Sequence, residues 1–341
     1  MNFGKVDRIL LLGGSPLLAE VAAALSKEWD LTVFSCRRQL DEPMDGKGTT
    51  LEQLLKNSGT KYFCADDINQ DDNFLGVITG STLAIGIGEQ WTFTQDVISR
   101  FAGRLVDFMG IPLPKFRGGA HYTWQILQKN RTGCCNIQEI NAEMVPGEFD
   151  SGKLLKRKEY QFSESARTPL DYFNEAGKNE LEFLLEFVRE VKEGKDFSPM
   201  TVDESASLFM PRLYTKKHGL VDWSWNTDEI DRFICAFDEP YPGASTYLDG
   251  KKVFLKGSSI DSSEGAFHPF QCGLVYKVHG GSLFVATRDG TVKLGRVLDE
   301  NGNDITESVA VGQRFFTPRN ELDDAMGFRA GYSTKGMEAK K

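Results

Sequence analysis

The fold is decided by a stretch near the N-terminus that reads Arg8-Ile9-Leu10-Leu11-Leu12-Gly13-Gly14-Ser15-Pro16. The apolar run predicts a buried strand, and the two glycines after it predict a tight turn. Ser15 is suited to cap a following helix, and Pro16 is suited to the first helical position, where no backbone N–H is needed. Apolar residues at helical spacing over Leu17–Leu25, followed by a short apolar run at Leu31–Ser35, then predict a right-handed βαβ unit with parallel strands.

The alternation of strands and helices continues to about residue 195, and the pattern then changes. Further strands are predicted at Leu75–Thr79, Leu105–Phe108, Cys134–Ile140 and Lys153–Lys158, and helices at Thr94–Ala102, Ala120–Gln128 and Pro169–Lys192. After a short predicted helix at Trp223–Phe237, brief apolar runs are separated by the hairpin signals Asp249-Gly250, Asp289-Gly290 and Asn301-Gly302. The sequence therefore predicts an α/β fold, with a Rossmann-like parallel sheet followed by a smaller, mostly β, OB-like domain. We expect the first domain at residues 1–195, a linker at 196–222, the second domain at 223–320 and a flexible tail at 321–341.

The composition limits the classes of partner. The 341 residues include 40 Lys and Arg against 49 Asp and Glu, which gives a formal net charge of −9 at pH 7. Proteins that bind polyanions normally carry a basic excess, so this charge argues against DNA and disfavours tRNA as a partner. No apolar run is long enough to span a membrane, and the first residues lack the pattern of a secretory signal. The six cysteines include no Cys-x-x-Cys pair, so we expect reduced thiols in a cytoplasmic protein and no metal site.

The glycines after the first strand argue against a nicotinamide cofactor. Gly13-Gly14-Ser15 is not the Gly-x-Gly-x-x-Gly pattern of dinucleotide-binding proteins. The second strand ends in Cys36-Arg37-Arg38, without the acidic residue that would bind a ribose. A tight turn between strand and helix is the interpretation we favour for these glycines.

Two later stretches carry the features of a ligand site. The first, Asp107–Leu127, combines the end of a predicted strand, a loop stiffened by Pro112 and Pro114, and the start of a helix. In open α/β sheets, ligands bind at the carboxyl ends of the strands. The second, Pro146–Gly152, is a turn that presents Asp150 between two predicted strands. Together they predict a groove at the rim of the sheet.

These stretches resemble the formyltransferases that use 10-formyltetrahydrofolate, a family that includes methionyl-tRNA formyltransferases and amino-sugar N-formyltransferases. The family pattern Asn-x-His-Pro-Ser-Leu-Leu-Pro-x-Tyr-Arg-Gly is matched in its second half by Leu113-Pro114-Lys115-Phe116-Arg117-Gly118. Trp124–Leu127, Thr132-Gly133 and Asp150–Leu154 follow at the expected spacing. The segments His218–Ser224, Glu229–Arg232 and Tyr241–Tyr247 resemble the later signature of the family, so the resemblance extends from about Arg8 to Phe316.

The resemblance implies which residues meet the ligands. It implies that 10-formyltetrahydrofolate, as co-substrate, lies against Ile111, Pro112, Leu113 and Pro114 and against Pro146, Gly147, Glu148 and Phe149. In the family an Asn stabilises the oxyanion, a His relays a proton, and a later Asp keeps that His basic. Here Asp107 replaces the Asn, Met109 replaces the His, and Asp150 is retained. A thioether donates no proton, and an ionised Asp107 would repel an oxyanion that a protonated Asp107 could stabilise.

Three neighbouring residues have alternative interpretations. His121, at the start of the predicted helix, is a candidate for the missing proton carrier; alternatively, it packs on the Trp124 face or forms a local hydrogen bond. Gly119 stands where some relatives carry an arginine that contacts the cofactor. Trp91, preceded by Gly86, borders the pterin pocket in one interpretation and only packs against the core in the other.

Three hypotheses about function follow. In the first, the chain transfers a formyl group from 10-formyltetrahydrofolate to an amine of a small metabolite such as an amino-sugar nucleotide, and Asp150, Asp107 and His121 are the catalytic candidates. In the second, it is an inactive descendant that binds folate, a nucleotide or a partner protein. In the third, Asp107 and Asp150 act as a carboxylate pair in another one-carbon or acyl reaction. The sequence decides neither the acceptor, nor the oligomeric state, nor the role of the C-terminal domain.

Overall fold

The computed structural model describes residues 1–45, 47–141, 152–333 and 336–339. The first part of the chain contains, in order, β1 (Arg8–Gly13), α1 (Pro16–Leu25), β2 (Asp30–Ser35), α2 (Arg37–Leu40), α3 (Leu51–Asn57), β3 (Lys61–Cys64), α4 (Asp72–Val77), β4 (Thr82–Ile87), α5 (Gln95–Phe101), β5 (Leu105–Met109), β6 (Arg117–Gly118), α6 (His121–Leu127), β7 (Thr132–Glu139), β8 (Leu154–Gln161) and α7 (Pro169–Lys192). The second part contains β9 (Phe209–Met210), α8 (Thr215–His218), α9 (Thr227–Ala236), β10 (Ala244–Leu248), β11 (Lys251–Asp261), β12 (Val275–His279), β13 (Ser282–Thr287), β14 (Gly290–Leu298), β15 (Phe315–Phe316), α10 (Arg319–Gly327), β16 (Ala330–Ser333) and β17 (Gly336–Ala339).

The first sheet has seven strands in the order β3-β2-β1-β4-β5-β7-β8. The first five strands of that order are parallel, whereas β7 is antiparallel to β5 and β8 is antiparallel to β7. The turn after β1 forms as predicted, because the Ser15 hydroxyl caps α1 by accepting a hydrogen bond from the backbone N–H of Leu18 at 3.1 Å. The predicted α/β class with a Rossmann-like sheet is confirmed. In this order the carboxyl end of β5 lies between β4 and β7.

The longest helix, α7, has the bounds that its apolar periodicity predicts. Thr168 caps its first turn, and Pro169 occupies the first helical position. Phe183, Leu184 and Phe187 are fully buried against one face of the first sheet. Burying a side chain of this size stabilises the fold by about 1.5–3 kcal/mol. The C-terminal half of the helix therefore packs against this face of the sheet, beside α1.

The strand predicted at Leu75–Thr79 is wrong. Leu75–Val77 belongs to α4, because the Asp71 carboxylate accepts a hydrogen bond from the Phe74 N–H at 2.8 Å and so caps a helix. Phe74 packs edge-on against Phe34, with ring centroids 5.2 Å apart. The fourth strand is instead β4, which is buried throughout. Gly86 lies within β4.

The second sheet is antiparallel and has six strands in the order β12-β13-β14-β11-β10-β15. The hairpins predicted at Asp249-Gly250 and Asp289-Gly290 are confirmed, since Leu248 pairs with Lys251 and Thr287 pairs with Gly290 across the two turns. The predicted helix at Trp223–Phe237 begins later, at Thr227, because the Asn226 side chain caps it. This sheet forms the antiparallel half-barrel of the second part of the chain.

The two parts meet through α6 and α9. Arg167, just before α7, pairs with Asp231 of α9 at 2.5 Å between Nη2 and Oδ2, and Lys129 pairs with Asp228 at 2.9 Å. After Pro318 the chain forms α10 and then the β16–β17 hairpin, and Leu322 of α10 is buried in a small apolar cluster with Leu220. The division into two domains with a linker and a flexible tail stays a prediction. Within the described ranges, none of the helices has the length and apolarity that crossing a membrane requires.

Candidate active site

A loop after β5, here called the motif loop and comprising residues 109–114, is fixed from below by a buried amide. The side-chain Nδ2 of Asn136, on β7, donates hydrogen bonds to the carbonyl oxygens of Met109 at 3.0 Å and Ile111 at 2.7 Å. Asn136 has no exposed surface. Because these two carbonyl groups lie on either side of Gly110, one amide holds the first three residues of the loop.

A second strand holds the far end of the motif loop. The guanidinium Nη1 of Arg157, on β8, donates to the carbonyl oxygen of Leu113 at 2.8 Å, and the Leu113–Pro114 peptide bond is cis. The side chains of Ile111 and Leu113 are buried, and they pack against Leu154. With these side chains turned inward, the parts of the loop available to a ligand are backbone groups and the half-buried side chains of Met109 and Pro114.

The segment after the motif loop is covered by the connection between the two parts of the chain. Arg117 is buried and forms a bidentate pair with Glu204, with Nη1–Oε2 and Nη2–Oε1 distances of 2.5 Å and 3.0 Å. Gly118 has φ +109°, and a Cβ there would lie 2.2 Å from the carbonyl oxygen of Met210. Arg117 and Gly118, which match the family pattern, therefore have a structural role: these two residues dock β6 onto β9.

Asp107 has a carboxylate neighbour that sequence reasoning missed. Gly86 lies beside it on β4, and a Cβ at Gly86 would be 2.9 Å from Asp107 Oδ1 and 2.6 Å from Glu89 Oε2. The two carboxyl groups therefore converge above a glycine, at the carboxyl ends of two adjacent parallel strands. The signal in the sequence is that Glu89 comes directly after β4 and its glycines, but only the strand order shows that β4 and β5 are neighbours.

His121 forms a local hydrogen bond at the start of α6. Its Nε2 lies 3.2 Å from the carbonyl oxygen of Gly118, so this nitrogen carries the proton in the neutral ring. Burial lowers the pKa of His121 to about 4, the Gly118 carbonyl opposes this shift, and the positive charge of Arg212 adds to it. At neutral pH the imidazole is therefore uncharged. The geometry corresponds to the local hydrogen bond that the sequence left open as an alternative.

Two further predicted residues have structural partners. A Cβ on Gly119 would lie 3.1 Å from the guanidinium carbon of Arg212, so an arginine from the connection fills the space beside this glycine. The indole N–H of Trp91 donates to the carbonyl oxygen of Asp66 at 3.2 Å, and the ring packs against the apolar core beside α4 and α5. The packing interpretation of Trp91 thus has direct contacts.

The other predicted site residues lie outside the described residues. These are Asp150 and the cofactor-binding candidates Pro146, Gly147, Glu148 and Phe149. The structure brings Asp107 and the motif loop together, and places His121 on the segment that follows. In the part of the chain that the structure describes, no three His, Cys, Asp or Glu side chains are grouped as a metal site requires.

The chain is similar to known formyltransferases. Residues 214–312 match the family described as formyl transferase, C-terminal domain. Over 303 residues the chain is 23% identical to a methionyl-tRNA formyltransferase of Bdellovibrio bacteriovorus, a match that covers 87% of this chain and 92% of that protein. The match of the C-terminal part and the similarity over most of the chain support the formyltransferase family, whose co-substrate is 10-formyltetrahydrofolate.

Solved structures share the fold at low sequence identity. The N-formyltransferase from Helicobacter canadensis, in complex with folinic acid and dTDP-3-aminofucose, has a TM-score of 0.60 at 11% identity and covers 85% of this chain and 98% of that chain. HypX from Aquifex aeolicus, in complex with tetrahydrofolic acid, has a TM-score of 0.57 at 20% identity. That match covers 87% of this chain but 45% of HypX, so the chain spans less than half of that protein.

Proposed function

We propose that this chain transfers a formyl group from 10-formyltetrahydrofolate to a primary amine of a small metabolite. The observation that carries the proposal is that the carboxyl groups of Asp107 and Glu89 converge beside Gly86, near the end of β5 and directly before the motif loop. A loop fixed by Asn136 and Arg157 offers backbone groups in constant positions to a planar ligand. The similarity to formyltransferases supports the class of co-substrate proposed for this groove.

Formyl transfer to an amine requires a hydrogen-bond donor and a proton acceptor. The amine nitrogen attacks the formyl carbon, negative charge grows on the formyl oxygen, and the amine gives up a proton that the departing tetrahydrofolate nitrogen finally receives. The Asp107 and Glu89 carboxyl groups both border the space beside Gly86, and two carboxyl groups that share a site favour a state with one proton between them. We assign the protonated donor role to Asp107, which stands in the position of the family's Asn, and the acceptor role to Glu89.

Asp150 completes the proposed acid–base group, as the resemblance implies. The neutral imidazole of His121 already donates its Nε2 proton to Gly118, so we give it no part in proton transfer. This assignment predicts that His121→Ala retains turnover, whereas Asp107→Ala and Asp150→Ala lose it. Retained turnover in Asp107→Ala with loss in His121→Ala would reverse the assignment.

An amino-sugar nucleotide is the acceptor class we propose. The chain carries a net charge of −9, and tRNA binding depends on Lys and Arg contacts to phosphates. The relative from Helicobacter canadensis was solved with a nucleotide-linked amino sugar. The sequence match to a methionyl-tRNA formyltransferase makes methionyl-tRNA the rival acceptor.

The experiment follows the release of tetrahydrofolate from 10-formyltetrahydrofolate. Purified protein is supplied separately with a panel of amino-sugar nucleotides and with methionyl-tRNA, and binding of 5-formyltetrahydrofolate is measured by calorimetry in parallel. Release that depends on a sugar nucleotide supports the proposal, and release that depends only on methionyl-tRNA overturns the acceptor class.

A second candidate function is a folate-binding protein without turnover. The observation that favours it is Met109, which packs with Ile111 and Leu113 in the apolar cluster of the motif loop and contributes no proton carrier. In the same experiment, tight binding of 5-formyltetrahydrofolate with no tetrahydrofolate release from any acceptor would establish this candidate instead.

A further inference from the structure

A buried carboxyl group lies behind the motif loop, on the α7 side. Glu180 of α7 is 9% exposed, and a Cβ on Gly110 would lie 2.5 Å from its Oε1. Any side chain at position 110 would therefore displace the carboxyl group, so the glycine allows it to reach the loop backbone. The phenol of Tyr122, on α6, donates a hydrogen bond to the same oxygen at 3.1 Å.

The groups that face Glu180 provide little to stabilise a negative charge. In the described part of the chain, its titratable neighbours are Tyr122 from α6, Cys135 from β7 and Tyr160 from β8, and burial raises the pKa of each. All three are consequently neutral at pH 7. Burial also raises the pKa of Glu180 to about 7, and the Tyr122 hydrogen bond opposes this shift. The carboxyl group is thus poised between its two protonation states.

We propose that Glu180 is a positioning residue whose protonation state sets the conformation of the motif loop at Gly110. The coupling itself is independent of any reaction, and its effect on formyl transfer rests on the function proposed above. Asn136 fixes the residues on both sides of Gly110, through the carbonyls of Met109 and Ile111. Gly110 is the chain neighbour of Met109, which lies two residues after Asp107. A displacement at Gly110 therefore acts on Met109 first.

The two protonation states make different demands on this space. A neutral carboxyl group can lie against the loop backbone and donate its proton to a carbonyl oxygen. An ionised one has no proton to donate and is repelled by carbonyl oxygens, so it moves towards Tyr122 or draws in water. Because Glu180 reaches the loop at Gly110, where no side chain lies between them, this movement changes the packing of the loop directly.

The test follows the methyl group of Met109 by ¹³C NMR in full-length protein with labelled methionines. Met109→Leu identifies the resonance among the 8 methionines of the chain. We expect the Met109 resonance to shift with pH, with a midpoint near 7, in the unmodified protein and to stay constant in Glu180→Gln. The matched control is Glu182→Gln on the same helix, whose carboxylate is exposed and pairs with Lys158 at 2.9 Å; it should titrate like the unmodified protein.

A second variant keeps the proposal testable should Glu180→Gln fail to fold. Tyr122→Phe removes the hydrogen bond that favours the ionised form, so the midpoint should rise by roughly half a pH unit or more. An unchanged midpoint in Tyr122→Phe, the same titration in Glu180→Gln, or no titration of Met109 between pH 5 and pH 9 would overturn the proposal. Because the readout needs no substrate, failure here is distinct from failure to transfer a formyl group.

Discussion

The side-chain amide of Asn136 donates a hydrogen bond to the carbonyl oxygen of Ile111 at 2.7 Å, and the two residues are 25 positions apart in the chain. The same Nδ2 reaches Met109 at 3.0 Å. β7 runs antiparallel beside β5, and this pairing brings the amide beneath the loop. The candidate site is thus shaped by β7, which follows the motif loop in the chain, as well as by β5, which precedes it.

Asn136→Ala should destabilise the protein by about 2–4 kcal/mol, because two buried carbonyl groups lose their donor and a small cavity forms. Urea unfolding followed by circular dichroism measures this change. Gln161→Ala, on the neighbouring strand, is the control, since its side chain is exposed and makes one hydrogen bond to Thr132 at 3.3 Å. Equal losses in the two variants would show that the amide does not stabilise the loop.

Gly118→Ala should disrupt the docking of β6 on β9. The added Cβ would meet the Met210 carbonyl oxygen at 2.2 Å, and φ +109° is disfavoured for any residue with a side chain. The expected loss in unfolding free energy is at least roughly 1–3 kcal/mol from the backbone conformation alone.

The control for this substitution is Gly177→Ala, inside α7, where a Cβ would meet nothing within 4 Å. An alanine in a helix interior is favoured over glycine by roughly 0.5–1 kcal/mol, so this variant should be slightly more stable than the unmodified protein. A Gly118→Ala variant with unchanged stability and normal limited proteolysis of the connection would contradict the docking role.

Local signals were sufficient for some elements and failed for others. The bounds of α7 follow from its periodicity and the cap at Thr168, which both lie within the helix's own sequence. The segment Leu75–Thr79 is apolar enough for a strand, and its helical state depends on the Asp71 cap and on the packing of Phe74 against Phe34. Short apolar runs fit either state, and tertiary contacts decide between them.

The candidate site shows the same division. The motif loop and Asp107 were found from their own sequence, since the resemblance lies in contiguous residues. Glu89 and Glu180 were missed because each reaches the site from a separate element, over Gly86 and behind Gly110 respectively. Proximity of this kind depends on strand order and helix placement, which spacing along one sequence does not encode.

The stability of the protein should fall as pH rises between about 5 and 7. Burial raises the pKa of Glu180 from 4.5 to about 7 on folding, so in this window the native state binds more protons than the unfolded state. The native state therefore loses stability as the pH rises through the folded pKa, by on the order of 3 kcal/mol.

Glu180→Gln should remove this slope, because a neutral amide keeps an acceptor for Tyr122 without a proton equilibrium. Melting temperatures at half-unit pH steps from 5 to 8 measure the effect, with Glu182→Gln as the exposed control. If Glu180→Gln and the control keep the same pH dependence, Glu180 is not the group that titrates.

Asp107→Asn distinguishes a catalytic carboxyl pair from a site that has lost the reaction. In the proposed reaction a protonated Asp107 donates to the formyl oxygen, so turnover should fall as pH rises and the proton is lost. Loss of one such donor costs about 10²- to 10³-fold in rate. An amide donates at every pH, so turnover by Asp107→Asn should not show this alkaline fall and should exceed that of the unmodified protein under alkaline conditions. Asp96→Asn on α5, whose carboxylate is 75% exposed, is the matched control and should keep the native profile. Turnover that appears only when Met109→His is added to Asp107→Asn would mean that the natural chain has lost the reaction, since His is the proton carrier that the family uses at this position.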